Sequence, residues 1–321
     1  MNPISTASIN WDTDTGIPRI PVGEWIDSGF AWVKTNLKEV FDAIRDVVDW
    51  VVTSLTDVLN APPALVTVAL LALLAWLVRD WKLALGSALG LAFIISIAQW
   101  ENAMATLALV LAATGVSLLI GIPLGILAAR SDGVSRVVRP VMDLMQTMPA
   151  LAWLVPVVAL FSIGVPGALV ATVIFALPPA VRLTELGIRQ VDAEVVEAGQ
   201  AFGGTPRQIL GGIQLPLAMP TVMAGVNQVI MLALSMAVIA GFVGGGGLGS
   251  QVVTSISRLN IGLGFEAGLS VVVLAIYLDR LTAAIGQRKA GSGRIQRLRE
   301  RRAAKQEQAA NGESAAPPAA A

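Results

Sequence analysis

The chain has no cysteine and no histidine, and a single tyrosine among its 321 residues. Without cysteine there can be neither disulfides nor thiolate metal sites. Without histidine it lacks the commonest metal ligand and the usual proton carrier near neutral pH, so metal-dependent catalysis would fall to carboxylates alone. Charge is also scarce. Asp, Glu, Lys and Arg supply 14% of the residues, where a soluble domain carries about a quarter. The phosphate-binding pattern G-x-x-x-x-G-K-[ST] does not occur. The glycine-rich run Gly244 to Ser250 has no lysine, follows a membrane segment and reads as a flexible turn. The opening MNPISTASINWDTDTG holds neither a basic nor an apolar signal region, so no secretory signal is expected.

What the chain has in abundance is apolar surface. Hydrophobic residues make up 55%, which predicts an all-α integral membrane protein. Seven apolar segments, approximately 63–78, 82–99, 104–129, 141–163, 165–183, 217–242 and 265–285, are each expected to cross a hydrocarbon core of about 30 Å. Pro178-Pro179 should kink or stop the fifth before Arg182. Gly86/Gly90 and Gly121/Gly125 allow close helix approach, though that spacing is a weak signal. Met142, Met145 and Met148 share a helical face suited to packing, and Gln146, Thr147 and Pro149 beside them are candidates to line a path, with Asn227 and Gln228 in the sixth segment.

Residues 23–60 place Ile26, Phe30, Val33, Leu37, Val40, Ile44, Val47, Val51, Leu55 and Val58 at alternating three- and four-residue spacing, an amphipathic helix. Its charged face cannot cross a bilayer, so it either lies in the interface or packs on a partner helix. The organisation predicted is a polar, extracytoplasmic region over 1–60, two leading spans over 61–99, a membrane core over 100–285, and a basic, disordered tail over 286–321. Lys and Arg collect on one side: Arg79, Lys82, Arg130, Arg136, Arg139, Arg182, Arg189, Arg207 and the tail. By the positive-inside rule that side is cytoplasmic, which puts the N-terminus outside and the C-terminus inside.

The central stretches of the seven segments carry no ionisable residue, whereas an ion-coupled carrier normally needs one at depth. Driving energy must therefore enter elsewhere. The stretch built to receive it lies within the polar loop 184–216. Asp192 is placed to cap a helix with Glu194 and Glu197 early in it, Gly203-Gly204 ends that helix, Thr205-Pro206 opens another, and Leu215-Pro216 closes it.

Glu197-Ala198-Gly199, then Gly203, then Ile213-x-Leu215-Pro216 resembles the EAA loop of ABC-importer permeases, with Gly199 in place of the second alanine. Met145 to Ala150, Leu154-Val155-Pro156, Phe175 to Pro179, Gln214 to Thr221, Ala224 to Gln228, Met231 to Met236 and Leu278 to Thr282 extend the likeness over roughly 100–285. They are similar to the ProU-type permease of glycine betaine/proline betaine importers. The resemblance implies a type I (MetI-like) permease core in the cytoplasmic (inner) membrane, and a transport subunit with no catalytic, cofactor or metal residues. It implies as partners ABC ATPase subunits that bind the ATP and Mg, an extracytoplasmic substrate-binding protein, a second copy of the chain and the lipid bilayer, with no nucleic acid. Glu197, Ala198, Gly199, Gly203, Ile213, Leu215 and Pro216 are then the residues that meet the ATPase. A permease for choline, carnitine or another small solute, a secondary transporter, and a membrane scaffold are the alternative readings.

Overall fold

The computed structural model describes residues 22–289. The polar opening and the tail beyond Lys289 lie outside the described residues, so the expectation of a disordered tail finds no test in it. Contacts group the chain into two units, one ending at Ile44 and one starting at Arg45. In the first, α1 (Val22–Asn36) is followed by the opening of α2 (Lys38–Asn60). The hydrogen bonds Leu37 N–H to Val33 O and Phe41 N–H to Leu37 O carry the chain across the join.

In the second unit, the rest of α2 rests on the core through Val48, Val51, Val52, Leu55 and Leu59. Val47 and Val58, expected on the inner stripe, are exposed. The buried face is turned by about one residue. The helix bends by 100° into α3 (Ala64–Val78), a corner closed by Thr67 Oγ1 donating to Leu59 O at 3.2 Å. The remaining helices are α4 (Trp81–Ser96), α5 (Trp100–Arg130), α6 (Asp132–Thr147), α7 (Ala150–Phe161), α8 (Val165–Arg189), α9 (Ala193–Ala201), α10 (Pro206–Ile209), α11 (Leu215–Ile239), α12 (Gly247–Ser257) and α13 (Ile261–Lys289). No strand occurs among the described residues.

Among the described residues, four stretches are by themselves long and apolar enough to cross a membrane: Trp100–Arg130, Val165–Arg189, Pro206–Val243 and Ile261–Gly286. The other three expected spans are shorter or broken. Helices α3 and α4, of 15 and 16 residues, reach only about 22–24 Å at 1.5 Å per residue. The 141–163 segment is not one helix. It breaks at Met148-Pro149, where α6 and α7 meet at 103°. Pro149 restrains the residue before it to extended backbone, and Met148 takes φ −70°, ψ 137°. The corner is held by Trp153 Nε1 donating to Met145 O at 3.2 Å.

The centre is the packing of α5, α8 and α11. A β-carbon at Gly125 would stand 2.6 Å from Val181 O, and one at Gly121 would strike Ala180 at 2.5 Å, so the second glycine pair is a true helix contact. In the first pair Gly90 touches Val273, but Gly86 faces open space. Pro178 and Pro179 do not end α8, which runs unbroken to Arg189. Freed carbonyls are tolerated in a membrane helix that neighbours hold in shape, and α8 is gripped on both sides. Leu177 O lies 3.5 Å from the β-carbon position of Gly121, and Pro179 O lies 3.3 Å from that of Gly225.

The glycine run after α11 is a packed knot, where a flexible turn was expected. A short 3-10 segment (Ala240–Val243) leads into α12. A β-carbon at Gly245 would meet Ala168 at 2.7 Å, and one at Gly249 would meet Ala237 O at 2.6 Å. Leu248 N–H donates to Thr106 Oγ1 at 2.8 Å, and Gly164 N–H to Val243 O at 2.9 Å. The run is glycine because the backbones of α5, α8, α11 and α12 meet there.

Candidate coupling interface

The loop after α8 is built by local chemistry. Asp192 Oδ1 accepts from Glu194 N–H at 2.9 Å and starts α9. The helix ends at Phe202 with two closing bonds, Gly203 N–H to Gln200 O at 2.8 Å and Gly204 N–H to Gly199 O at 3.1 Å. This is the Schellman pattern, and it requires left-handed backbone at Gly203, whose φ is +80°. Thr205 then forms a capping box: its N–H donates to Gln208 Oε1 at 2.8 Å, and Gln208 N–H to Thr205 Oγ1 at 3.4 Å. The caps expected from the sequence are all present.

Leu215-Pro216 does not close the second helix. The chain passes from α10 through a widened π turn (Leu210–Gln214) into α11. Proline clashes with the carbonyl four residues back in a regular helix. Here Leu215 N–H bonds to Leu210 O, five residues back, and the wider turn lets the helix continue past Pro216. Such insertions are frequent at functional sites.

The motif residues divide by what they touch. Gly199 lies under Ile213, since a β-carbon there would meet Ile213 Cδ1 at 2.5 Å. Gly204 lies under Ile209 and against Gly199 O. Ile209 is buried and Ile213 half-buried, so these four make a small private core. Leu215, with Leu210, packs on the cluster of Ile188, Ala218 and Val222 and joins the loop to the bundle. Pro216 is exposed at the start of α11. Glu197 and Ala198 face outward. Beside them Phe202, which sequence reasoning passed over, is 94% exposed. A fully exposed phenylalanine on a rigid corner is a ready anchor for another protein. Its one sequence signal is an aromatic residue in the last position before the turn glycines.

Sequence reasoning also missed a charge cluster at the base of the loop. Glu185, 4% exposed, accepts through Oε1 from Ser135 Oγ at 2.8 Å and Arg139 Nη2 at 2.8 Å, and forms an ion pair with Arg189, whose Nε lies 3.0 Å from the same oxygen. Arg189 Nη2 also reaches Ala128 O at 2.8 Å and Asp132 Oδ1 at 2.7 Å. Arg182 pairs with Asp143. The carboxyl of Asp132, exposed at the start of α6, is held below its ordinary range by the hydrogen bond from Arg189, and then by that guanidinium's charge. The signal was available as spacing: Asp132, Ser135, Arg139 and Asp143 share one helical face, as do Arg182, Glu185 and Arg189. Arg139, Arg182 and Arg189, counted as loop charges in fixing orientation, are paired helix residues.

The path candidates are not gathered into one site by their hydrogen bonds. Gln146, Thr147 and Pro149 sit at the α6–α7 corner, with Thr147 Oγ1 donating to Leu144 O. Asn227 is committed to α13: its Nδ2 donates to Asp279 Oδ1 at 3.0 Å, and its Oδ1 accepts from Thr282 Oγ1 at 2.9 Å. Asn227 and Thr282 border a cavity of about 320 Å³ between α11 and α13. Gln228 is exposed on α11. Met142 and Met145 do pack, against Leu177 and Val181.

A helical membrane bundle with a capped loop between α8 and α11 is the architecture of a transporter's membrane subunit, and the chain belongs to the family of binding-protein-dependent transport system inner membrane components, which matches residues 121–291. It is 49% identical over 269 residues to the glycine betaine/proline betaine transport system permease protein ProW of Escherichia coli (strain K12), covering 84% of this chain and 76% of that one. It is 43% identical over 277 residues to the glycine betaine transport system permease protein OpuAB of Bacillus subtilis (strain 168), covering 86% and 98%. The MetNI methionine ABC transporter in an inward-facing conformation shares the fold, with a TM-score of 0.55 at 22% identity over 60% of this chain and 95% of that one. The chain is an ABC-importer permease subunit of the ProU type.

Proposed function

We propose that this permease imports quaternary-ammonium osmolytes such as glycine betaine and proline betaine, driven by ATP hydrolysis on a separate subunit that binds the loop from Asp192 to Leu215. The observation that carries the proposal is the loop itself. Its shape is fixed by two caps, a left-handed glycine and a private isoleucine core, while Glu197, Ala198 and Phe202 are left pointing outward. A rigid corner that presents an aromatic anchor suits docking and the transfer of motion. The substrate class follows from the names of the relatives.

In this reading ATP and Mg bind the partner, two copies of the chain enclose the path, and a binding protein delivers solute at the opposite end. The loop side is cytoplasmic, and the membrane is the cytoplasmic one. Alternating access follows as the ATPases close and draw the two loops together. The path would run past the α6–α7 corner with Gln146 and Thr147.

The test is uptake of labelled glycine betaine into proteoliposomes holding this chain, its ATPase and its binding protein. Uptake is expected only with ATP, and competition by unlabelled choline and carnitine separates the betaine reading from a permease for those solutes. Accumulation driven by a proton or sodium gradient without nucleotide would sink the reading and favour a secondary transporter.

A further inference from the structure

We infer that Glu185 is a positioning residue that relays movement of the loop to the α6–α7 corner, an inference that rests on the loop being the ATPase contact. The geometry is a short chain of rigid connections. Arg189 lies three residues before Asp192, the cap of α9, so any displacement of α9 bears on the end of α8 at once. There Glu185 and Arg189 hold three elements together: the last turns of α8, the first turns of α6 through Ser135, Arg139 and Asp132, and the end of α5 through Ala128 O. Arg182 with Asp143 extends the same seam further along α6. At its far end α6 stops at the 103° corner, where Trp153 ties α7 back to Met145.

The chemistry argues for a relay rather than mere adhesion. The apolar contact of Val138, Met142 and Met145 with Leu177 and Val181 already holds α6 on α8. Apolar contact resists separation but is non-directional. A carboxylate that accepts a hydroxyl and a charge-assisted hydrogen bond from α6 on one oxygen, with Arg189 paired to the same oxygen from α8, fixes the register of the two helices as well. It is also costly to bury, and removing a partner leaves an uncompensated charge. A purely adhesive contact would not need it. With the register fixed, α6 and the end of α8 move as one body, and the corner beside Gln146 and Thr147 must follow the loop.

The experiment uses the whole reconstituted transporter and reads three quantities for Glu185→Gln and Arg139→Gln at matched membrane abundance. They are ATPase co-purification, ATP hydrolysis, and glycine betaine taken up per ATP hydrolysed. Docking and hydrolysis should stay within twofold of the parent, and the ratio should fall at least tenfold. A second readout exploits the absence of cysteine. Spin labels at Arg136→Cys and Gln190→Cys, just past the end of α8 and before the docking loop, should keep one distance between the nucleotide-free and nucleotide-trapped states in the parent, and lose that constancy when Glu185→Gln is added. An unchanged ratio and distance overturns the relay while leaving the loop reading intact. Loss of assembly in both variants also overturns it, since Glu185 would then serve only the fold. Failure of the loop reading shows separately, as normal docking when Phe202 is replaced by alanine.

Discussion

At the scale of single residues, Gly203 and Gly204 have different reasons to be glycine. Gly203 has left-handed backbone with open space around its β-carbon position, so its constraint is conformational and costs other residues about 1 kcal/mol or more. Gly203→Val should weaken ATPase co-purification and uptake, whereas Gly203→Asn, which tolerates that backbone, should retain most of both. The family pattern by itself suggests that Gly204→Ala is mild. The structure predicts otherwise, because the added carbon would stand 2.8 Å from the backbone oxygen of Gly199 and 3.2 Å from Ile209. Gly204→Ala should therefore cost at least as much docking as Gly203→Asn, and equal co-purification of Gly204→Ala and the parent would show that the corner yields. A similar test applies to Gly249→Ala, which would press on Ala237 O and Val238 O. Overpacking of this kind costs about 1–3 kcal/mol, read as a lower melting temperature of the purified chain in detergent.

At the scale of elements, helix ends were legible in the sequence and helix continuity was not. Asp192, Thr205 with Gln208, and Gly203 act within four residues of themselves, so their chemistry could be read off directly. Thr205→Ala should remove one half of the capping box, at a cost of about 1 kcal/mol. Amide hydrogen exchange over Pro206–Gln214 should quicken about fivefold while α8 and α11 are unchanged; unchanged exchange in the loop would mean that the isoleucine core alone holds α10. Prolines misled in both directions. Pro178-Pro179 were expected to kink or stop a helix and Leu215-Pro216 to close one, and neither stops its helix. Pro149, by contrast, marks a true corner. The difference is made by neighbours: α5 and α11 pack against α8 on both sides of the prolines, and a widened turn absorbs Pro216.

At the scale of the whole molecule, the expected topology places the amphipathic helix on the side opposite the loop. A cysteine at the exposed Asp49 should react with an impermeant thiol reagent from outside intact cells, and one at Glu194 only after the cytoplasmic face is opened. The absence of native cysteine makes the labelling unambiguous. Reaction of both from one side would mean an even number of crossings between them in place of the five expected, and with it the assignment of the loop to the cytoplasm would fall.

The sequence by itself determined the membrane class, the positions of the apolar segments and the build of the loop. These follow from composition, from hydrophobic length and from caps that act over a few residues. Tertiary structure decided the rest. Seven similar apolar runs became four full-length helices with shorter and broken ones around them, because a run's composition does not say whether a proline within it will be supported. The glycine run around Gly244 became a rigid knot because four backbones converge on it. Glu185 became a buried junction because Ser135 and Arg139, some fifty positions earlier, were brought against it. Each of these depends on which faces meet across long separations in the chain, and that is settled only when the helices pack.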